Sequence, residues 1–385
     1  MSILQTRYRP GQVRDAIVSI LELAVRPLTL GEIVERVNAR IGPTPPSSVR
    51  SYLGLNTPSL FLRHERGSYE LRGLGDSPER PSPPASPDTA TRECLGNALL
   101  VNADCLDWIR RQPDEQMQAV VTDPPYGLFE YSSEQQDKMR EKKGGVWRIP
   151  PSFDGHVRSP LPRFTVLSDD QIEELRGFFF TWARALLPKL VPGANVIVAS
   201  NPLLSYIVAA SIAEAGFERR GEIIRLVMTM RGGDRPKDAH EEFRDVSVMP
   251  RSMWEPWLVF RRPIEGRVQD NLRKWKTGGF RRPSADRPFG DVIRSSPTQK
   301  NERAIAPHPS LKPQAFLRQV VRAVLPLGEG TVLDPFAGAG STLAAAEAVG
   351  YVSIGVEKDA RYFSMACEAV PRLARLECAE PGFSL

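Results

Sequence analysis

Apolar residues recur at helical spacing near the amino end of the chain, in Val13, Ile17, Ile20, Leu21 and Ala24. Thr29 is placed to cap a second helix carrying Ile33, Val34, Val37 and Ile41, and Gly42 ends it. A third helix starting at Ser47 or Ser48 carries Val49, Tyr52 and Leu53. Leu60-Phe61-Leu62 and Tyr69-Glu70-Leu71 flank a turn with Arg66-Gly67, the pattern of a hairpin. Three helices and a hairpin predict a winged-helix-like domain over residues 1–72. Arg50, His64 and Arg66 are its candidates for DNA contact, and a protein-docking module is the competing reading.

The pattern then breaks. Residues 73–92 are rich in Pro, Ser and Asp and read as a semi-rigid linker. From Ala98 onward strand and helix patterns alternate. Strands are expected over Ala98–Asn102, Ala119–Thr122, Asn195–Ser200, Glu222–Val227, Trp257–Arg261, Thr331–Asp334 and Val352–Val356. Helices are expected over Cys105–Arg111, Asp169–Leu187, Leu203–Ala215, Gln314–Leu325, Ser341–Val349 and Ala360–Leu373. That alternation predicts an α/β domain over 93–385 with a Rossmann-like, doubly wound, largely parallel sheet. Two long stretches interrupt it, 127–165 and 261–307. Both are expected to be mobile or functional.

Composition narrows the class. The chain has 385 residues, 41% hydrophobic and 25% charged. No apolar run is long enough to span a bilayer and no secretion signal precedes the first helix, so a cytoplasmic location is expected. The four cysteines, Cys94, Cys105, Cys367 and Cys378, form no Cys-x-x-Cys pair, and neither a metal site nor a disulfide framework is expected. A net charge of +5 fits a polyanionic partner.

Two motifs carry chemistry. Asp334-Pro335-Phe336-Ala337-Gly338-Ala339-Gly340-Ser341-Thr342 follows an apolar strand and opens a helix, so its glycines let backbone approach a ligand. A dinucleotide and a phosphate are both open at this point, but the third glycine of the dinucleotide fingerprint is replaced by Leu343 and no Gly-Lys-Ser/Thr follows. Glu357, at the end of the next strand, is spaced to bind ribose hydroxyls. A nucleoside-containing cofactor without a pyrophosphate anchor fits best, and S-adenosylmethionine is one. Thr122-Asp123-Pro124-Pro125-Tyr126 also follows an apolar strand. An exocyclic base amine is a poor nucleophile because its lone pair is delocalised. Asp123 and the carbonyl of Pro124 would accept its two hydrogens, the prolines would fix the backbone, and Tyr126 would offer a face to an extruded base.

These motifs, together with His308-Pro309-Ser310-Leu311-Lys312-Pro313, resemble the beta-group, circularly permuted amino-methyltransferases of DNA, specific for adenine N6 or cytosine N4. The resemblance covers roughly Ala98 to Leu373 and implies a permuted class I S-adenosylmethionine-dependent fold. It implies that Asp123, Pro124, Pro125 and Tyr126 form the catalytic turn. It implies that Asp334, Phe336, Gly338, Gly340, Ser341 and Thr342 line the cofactor, that Glu357 holds its ribose and that Asp104 meets its adenine. Lys312 and Pro313 would close over its methionine end. Asp104 also reads as a plain helix cap. The insertion 261–307 would be the target-recognition region. It holds twelve Lys/Arg against five Asp/Glu from Arg261 to Arg303, with Arg281 and Arg282 among the candidates for phosphate contact.

The expected activity is site-specific methylation of double-stranded DNA at N6 of a flipped adenine by direct in-line transfer. No Pro-Cys dipeptide occurs, so methylation at carbon 5 of cytosine is not expected. The alternatives are cytosine-N4 methylation, for which the family usually has Ser in place of Asp123, and a non-catalytic DNA-binding regulator on a methyltransferase fold. A homodimer and a partner restriction nuclease are both compatible with the resemblance.

Overall fold

A computed structural model describes residues 12–22, 24, 26–55, 61–64, 67–71, 90–128, 133–141, 143, 146–148, 161–227 and 233–378. Chain contacts divide into two units, Met1–Asp88 and Thr89–Leu385.

The first unit runs α1 (Gln12–Glu22), β1 (Leu28–Thr29), α2 (Leu30–Ile41), α3 (Pro46–Leu55), β2 (Phe61–Arg63) and β3 (Ser68–Leu71). The Thr29 cap forms: its hydroxyl accepts from the Glu32 amide while the Glu32 carboxylate accepts from the Thr29 amide, a reciprocal box that fixes the start of α2. β3 pairs antiparallel with both β1 and β2. Ile17, Ile33, Val37, Val49, Leu53 and Phe61 are buried between helices and hairpin, which is a winged-helix arrangement. Arg50 is exposed on α3, and His64 Nε2 lies 2.9 Å from Glu70 Oε1 across the hairpin. Arg66 and the linker up to 89 lie outside the described residues.

The second unit is built on β4 (Arg92–Leu95), β5 (Ala98–Asn102), β6 (Met117–Thr122), β7 (Trp147–Arg148), β8 (Leu161–Pro162), β9 (Leu190–Ala199), β10 (Glu218–Leu226), β11 (Trp254–Arg261), β12 (Val292–Arg294), β13 (Thr331–Asp334) and β14 (Val352–Glu357). Its helices are α4 (Cys105–Arg111), α5 (Ser133–Arg140), α6 (Asp169–Leu186), α7 (Ser205–Glu214), α8 (Val268–Trp275), α9 (Lys300–Ile305), α10 (Gln314–Val324), α11 (Ser341–Ala348) and α12 (Ala360–Ala374). Nine strands form one mixed sheet in the order β12-β10-β11-β9-β6-β13-β14-β5-β4. β9, β6, β13, β14 and β5 are parallel, while β11 and β4 run against their neighbours. Apolar side chains of α4, α6 and α7 pack on one face and those of α10, α11 and α12 on the other. This is a Rossmann-like α/β/α sandwich.

Two edge strands depart from the sequence reading. Arg92, assigned to the linker, begins β4, and β12 lies inside the basic insertion. β4 is short and largely exposed, and β12 has three residues of which only Ile293 is buried, so neither is long enough for a period to betray it. Most predicted strands also begin earlier, β9 at Leu190 and β10 at Glu218.

The insertion carries α8, β12 and α9 and is tied to the sheet. β11 runs antiparallel, so the chain leaves it at the amino ends of the parallel strands. There Arg262 N–H bonds Ala194 C=O, Asn271 holds Pro192 C=O, and Arg281 Nη1 donates to the Tyr351 hydroxyl at 2.8 Å. β12, parallel to β10, brings the chain back to the carboxyl ends. The direction of one strand, invisible in the sequence, thus turns residues 262–287 away from the two motifs.

Candidate active site

Strand order creates the site. β13 is continued by α11 to β14 on one side of it, while β6 is continued by α6 to β9 on the other. A crevice therefore opens where the carboxyl ends of β6 and β13 lie side by side. Both chemical motifs leave the sheet at this point. They are tied together by Thr122, whose hydroxyl donates to Asp334 Oδ1 at 2.6 Å. Burial pushes the Asp334 carboxyl up to about 6, against the hydrogen bonds from Thr122, Thr342 and the Phe336 amide.

Asp123 follows β6 directly, with 15% of its side chain exposed. Its Oδ2 lies 3.0 Å from Lys312 Nζ. Its Oδ1 is enclosed and has no hydrogen-bond partner among the described residues. Lys312 Nζ also donates to Glu255 Oε1 and to the Tyr126 hydroxyl, each at 2.9 Å. The Tyr126 hydroxyl in turn donates to Glu255 Oε1 at 2.7 Å. Glu255 Oε2 accepts from Arg225 at 2.8 Å and from the Trp257 indole at 3.2 Å. Arg225 and Glu255 are register partners on β10 and β11, so the antiparallel pair delivers them together.

Burial dominates the electrostatics of this cluster. It raises the Asp123 carboxyl, opposed by Lys312 and reinforced by Glu255. Burial also works against Glu255, but Lys312 and Arg225 outweigh it and hold that carboxyl well below the carboxylate range. Lys312 is desolvated too, and the two carboxylates more than compensate, so its ammonium is kept above its ordinary value. The Tyr126 phenol is pushed far up by burial and by both carboxylates.

The glycine turn lies opposite. Gly338 and Gly340 have φ of +52° and +80°, and a Cβ on Gly340 would come within 2.3 Å of Val370 Cγ2. Only glycine fits there. The Gly338 amide donates to Glu357 Oε2 at 2.8 Å and the Asp359 amide to Oε1 at 2.7 Å. Each oxygen keeps a further lone pair. Phe336 packs with ring centroids 6.0 Å from Trp182 and 6.2 Å from Phe178. His308 faces the turn, edge-on to Tyr362 at 4.3 Å, and burial and Lys312 lower its imidazole to about 4.

A hollow of about 350 Å³ joins the two halves, lined by Asp123, Lys312, Asp334, Phe336, Gly338, Ser341 and Thr342, together with Trp257, His308 and Ser310. Half of the sequence-predicted residues thus line one hollow, and Pro124, Pro125, Tyr126 and Gly340 belong to the two turns that border it. Others stand apart from its lining. Glu357 and Asp104 are at the neighbouring ends of β14 and β5. Asp104 caps α4 through the Leu106 and Asp107 amides, and its Oδ2 lies 3.1 Å from Lys358. Pro313 heads α10 and lines a different hollow. Lys312 differs most from expectation: its ammonium is turned onto Asp123, Tyr126 and Glu255 rather than left free for a ligand. Sequence reasoning missed Glu255 and Arg225. The available signal was an acid embedded in the apolar run Trp254-Glu255-Pro256-Trp257-Leu258.

The arrangement suits a nucleoside cofactor beside a base amine. A tight glycine turn offers backbone, Glu357 offers acceptors without a competing cation, and Asp123 Oδ1 offers one more acceptor across the hollow. Among the described residues no cluster of His, Cys, Asp and Glu has metal-site geometry, and no helix is long and apolar enough to cross a membrane.

The chain is similar to several DNA methyltransferases. The type II methyltransferase M2.LlaDCHI of Lactococcus lactis subsp. cremoris is 23% identical over 276 residues, spanning 70% of this chain and 88% of that protein. M.HindIII of Haemophilus influenzae is 22% identical over 293 residues, spanning 69% and 93%. The solved PvuII DNA methyltransferase, described as cytosine-N4-specific, overlays with a TM-score of 0.46 at 15% identity over 73% of this chain and 87% of that one. The family profile described as DNA methylase, of N6/N4 methyltransferase type, matches residues 117–368, which include both the Asp123 turn and the glycine turn, and the chain belongs to that family.

Proposed function

We propose that this DNA methylase transfers a methyl group from S-adenosylmethionine to N6 of an adenine flipped out of double-stranded DNA. The observation that carries the reading is Asp123: its Oδ1 is enclosed and has no partner among the described residues, and the residue lines the hollow shared with the glycine turn. A buried acceptor left unpaired costs about 1–3 kcal/mol, and an amine hydrogen from a substrate would remove that cost.

When bound, the cofactor supplies a methyl group already activated by its sulfonium. The protein supplies position. Gly338 and Gly340 bring backbone close to the cofactor, Glu357 accepts from its ribose, and Asp104 meets its adenine amine. Phe336, Ser341 and Thr342 line its place, with Asp334 fixed behind them. Asp123 Oδ1 accepts one hydrogen of the target amine and the Pro124 carbonyl the other, drawing the lone pair out of conjugation. Pro125 stiffens that turn. Tyr126 presents its ring to the base. The proton that the nitrogen sheds after transfer meets the same Oδ1. The hollow opens at the carboxyl ends of the strands, so the duplex is proposed to approach there. Residues 262–287, at the opposite ends, have no part in this reading.

The test is expression in a methylation-free host, followed by mass spectrometry of digested DNA. N6-methyladenine is the expected product. N4-methylcytosine alone would overturn the choice of base. Asp123→Ala should lower the single-turnover rate by ~10²–10⁴-fold, the usual worth of a group that handles a proton in the transition state, while calorimetric titration shows cofactor affinity little changed. A rate near wild type would remove Asp123 from the chemistry.

A further inference from the structure

We propose that Lys312 and Glu255 are positioning residues for methyl transfer: Lys312 occupies Oδ2 of Asp123 so that Oδ1 alone faces the target amine, and Glu255 holds Lys312 and the Tyr126 hydroxyl in that arrangement. The inference rests on the proposed role of Asp123.

An ammonium has three protons to give. Lys312 has three acceptors, Asp123 Oδ2 at 3.0 Å and Glu255 Oε1 and the Tyr126 hydroxyl at 2.9 Å. It has no proton left for a cofactor carboxylate. Glu255 is equally occupied: Oε1 accepts from Tyr126 and Lys312, Oε2 from Arg225 and Trp257. Arg225 is anchored in turn by Ser295 Oγ and the Ser296 carbonyl at the end of β12. Two acids face two bases, so the enclosed cluster carries no net charge. In this cluster Asp123 Oδ1 is the oxygen left enclosed and without a partner among the described residues, and Asp123 lines the hollow.

The balance of charges gives a test with opposite signs. Asp123 is faced by Lys312 from the segment before α10, by Glu255 from β11, by Tyr126 from its own turn and by Asp334 from β13. Arg225 on β10 and His308 face Lys312. Lys312→Met removes the one cation in contact with Asp123. Its carboxylate becomes harder to form, and the acid limb of the single-turnover rate should move to higher pH by about one unit or more. Glu255→Gln keeps the size and one acceptor oxygen, puts an NH2 in place of the other, and removes the nearby negative charge, so the acid limb should move to lower pH.

The experiment measures single-turnover rate against pH on whichever amine the wild type methylates, S-adenosylmethionine affinity by calorimetry, and melting temperature. A wrong choice of base therefore leaves this test intact. The expected result is cofactor affinity within about two-fold of wild type for both variants, a rate loss larger for Lys312→Met, and limbs displaced in opposite directions. If Lys312→Met does not fold, the isosteric Glu255→Gln decides by itself. An unmoved acid limb in Glu255→Gln would overturn the proposal. So would a Lys312→Met protein that loses cofactor affinity with its pH profile unchanged, which would return Lys312 to the cofactor.

Discussion

The two ends of the same sheet each bury a network of charged and polar side chains, and they differ in one respect. At the amino ends, Arg261 donates to Glu218 and to the Gly278 carbonyl. Asn271 gives its amide hydrogens to Pro192 and Thr277 and accepts from the Glu265 amide. Each of these groups is matched, and the result is a clamp that fastens the basic segment to β9. At the carboxyl ends, Asp123, Tyr126, Glu255, Arg225 and Lys312 are as deeply set, but Asp123 Oδ1 is left over. Burial and charge alone do not separate a scaffold from a reaction centre. What sets the carboxyl ends apart is an unpartnered oxygen on a side chain that lines the hollow.

Breaking the clamp should sharpen that contrast. Asn271→Ala strands the Glu265 amide and the Thr277 carbonyl, leaves the Pro192 carbonyl with the Thr277 hydroxyl as its remaining donor, and should lower stability by about 2–4 kcal/mol in chemical denaturation. Specific activity per folded molecule should be unchanged. A loss of rate larger than the loss of folded protein would mean that the two ends are coupled.

Gly340→Ala probes the other end. The positive φ and the approach to Val370 together should cost about 1–3 kcal/mol, with weaker cofactor binding as α11 shifts. Full stability would show that α12 yields to the extra methyl group. His308 gives a pH-dependent effect. Its folded value of about 4 lies below the ordinary 6.5. On lowering the pH through that window the unfolded chain takes up a proton before the folded one does, so stability should fall by up to about 3 kcal/mol between pH 6.5 and 4. His308→Phe should flatten this part of the stability curve, and an unaltered slope would clear His308 of it.

The smallest effect is expected at Arg281. It bonds the Tyr351 hydroxyl inside the protein, at the end of the sheet away from the hollow. Arg281→Ala should cost about 1 kcal/mol or less and leave the slope of log affinity for DNA against log salt as it is in wild type. A slope reduced by about one unit would put a phosphate on that arginine and return the basic segment to the DNA.

The sequence was most readable where one strand end carries one motif. Asp123 and Gly338 stand at the ends of apolar strands, and periodicity found both. The order of the central strands was legible only as a class of fold. The partners of Asp123 were not legible, because they arrive by pairing. Glu255 reaches the site through the antiparallel register that sets it beside Arg225, and Lys312 through the segment preceding α10. A match to a family motif drew Lys312 toward the cofactor, and its neighbours Asp123, Tyr126 and Glu255 were visible only in the geometry. The placement of the basic segment was not legible for a similar reason: composition reports charge but not the direction in which the chain leaves the sheet.

The stitching of the central strands bears on how the chain comes off the ribosome. Asn102 meets Glu357, 255 positions later, and Thr122 meets Asp334, 212 positions later. β5 and β6 are made early, yet the two strands that belong between them are made last. At ~5–20 residues per second the nascent chain holds two open strand edges for on the order of 10–50 s. During that interval the apolar faces of β5 and β6 and the helices beside them have no middle to close on. Long-range pairing of this kind folds slowly and invites wrong partners. Yield in a heterologous host should therefore respond more to chaperone supply and to the pace of translation before residue 331 than to the stability of the finished protein.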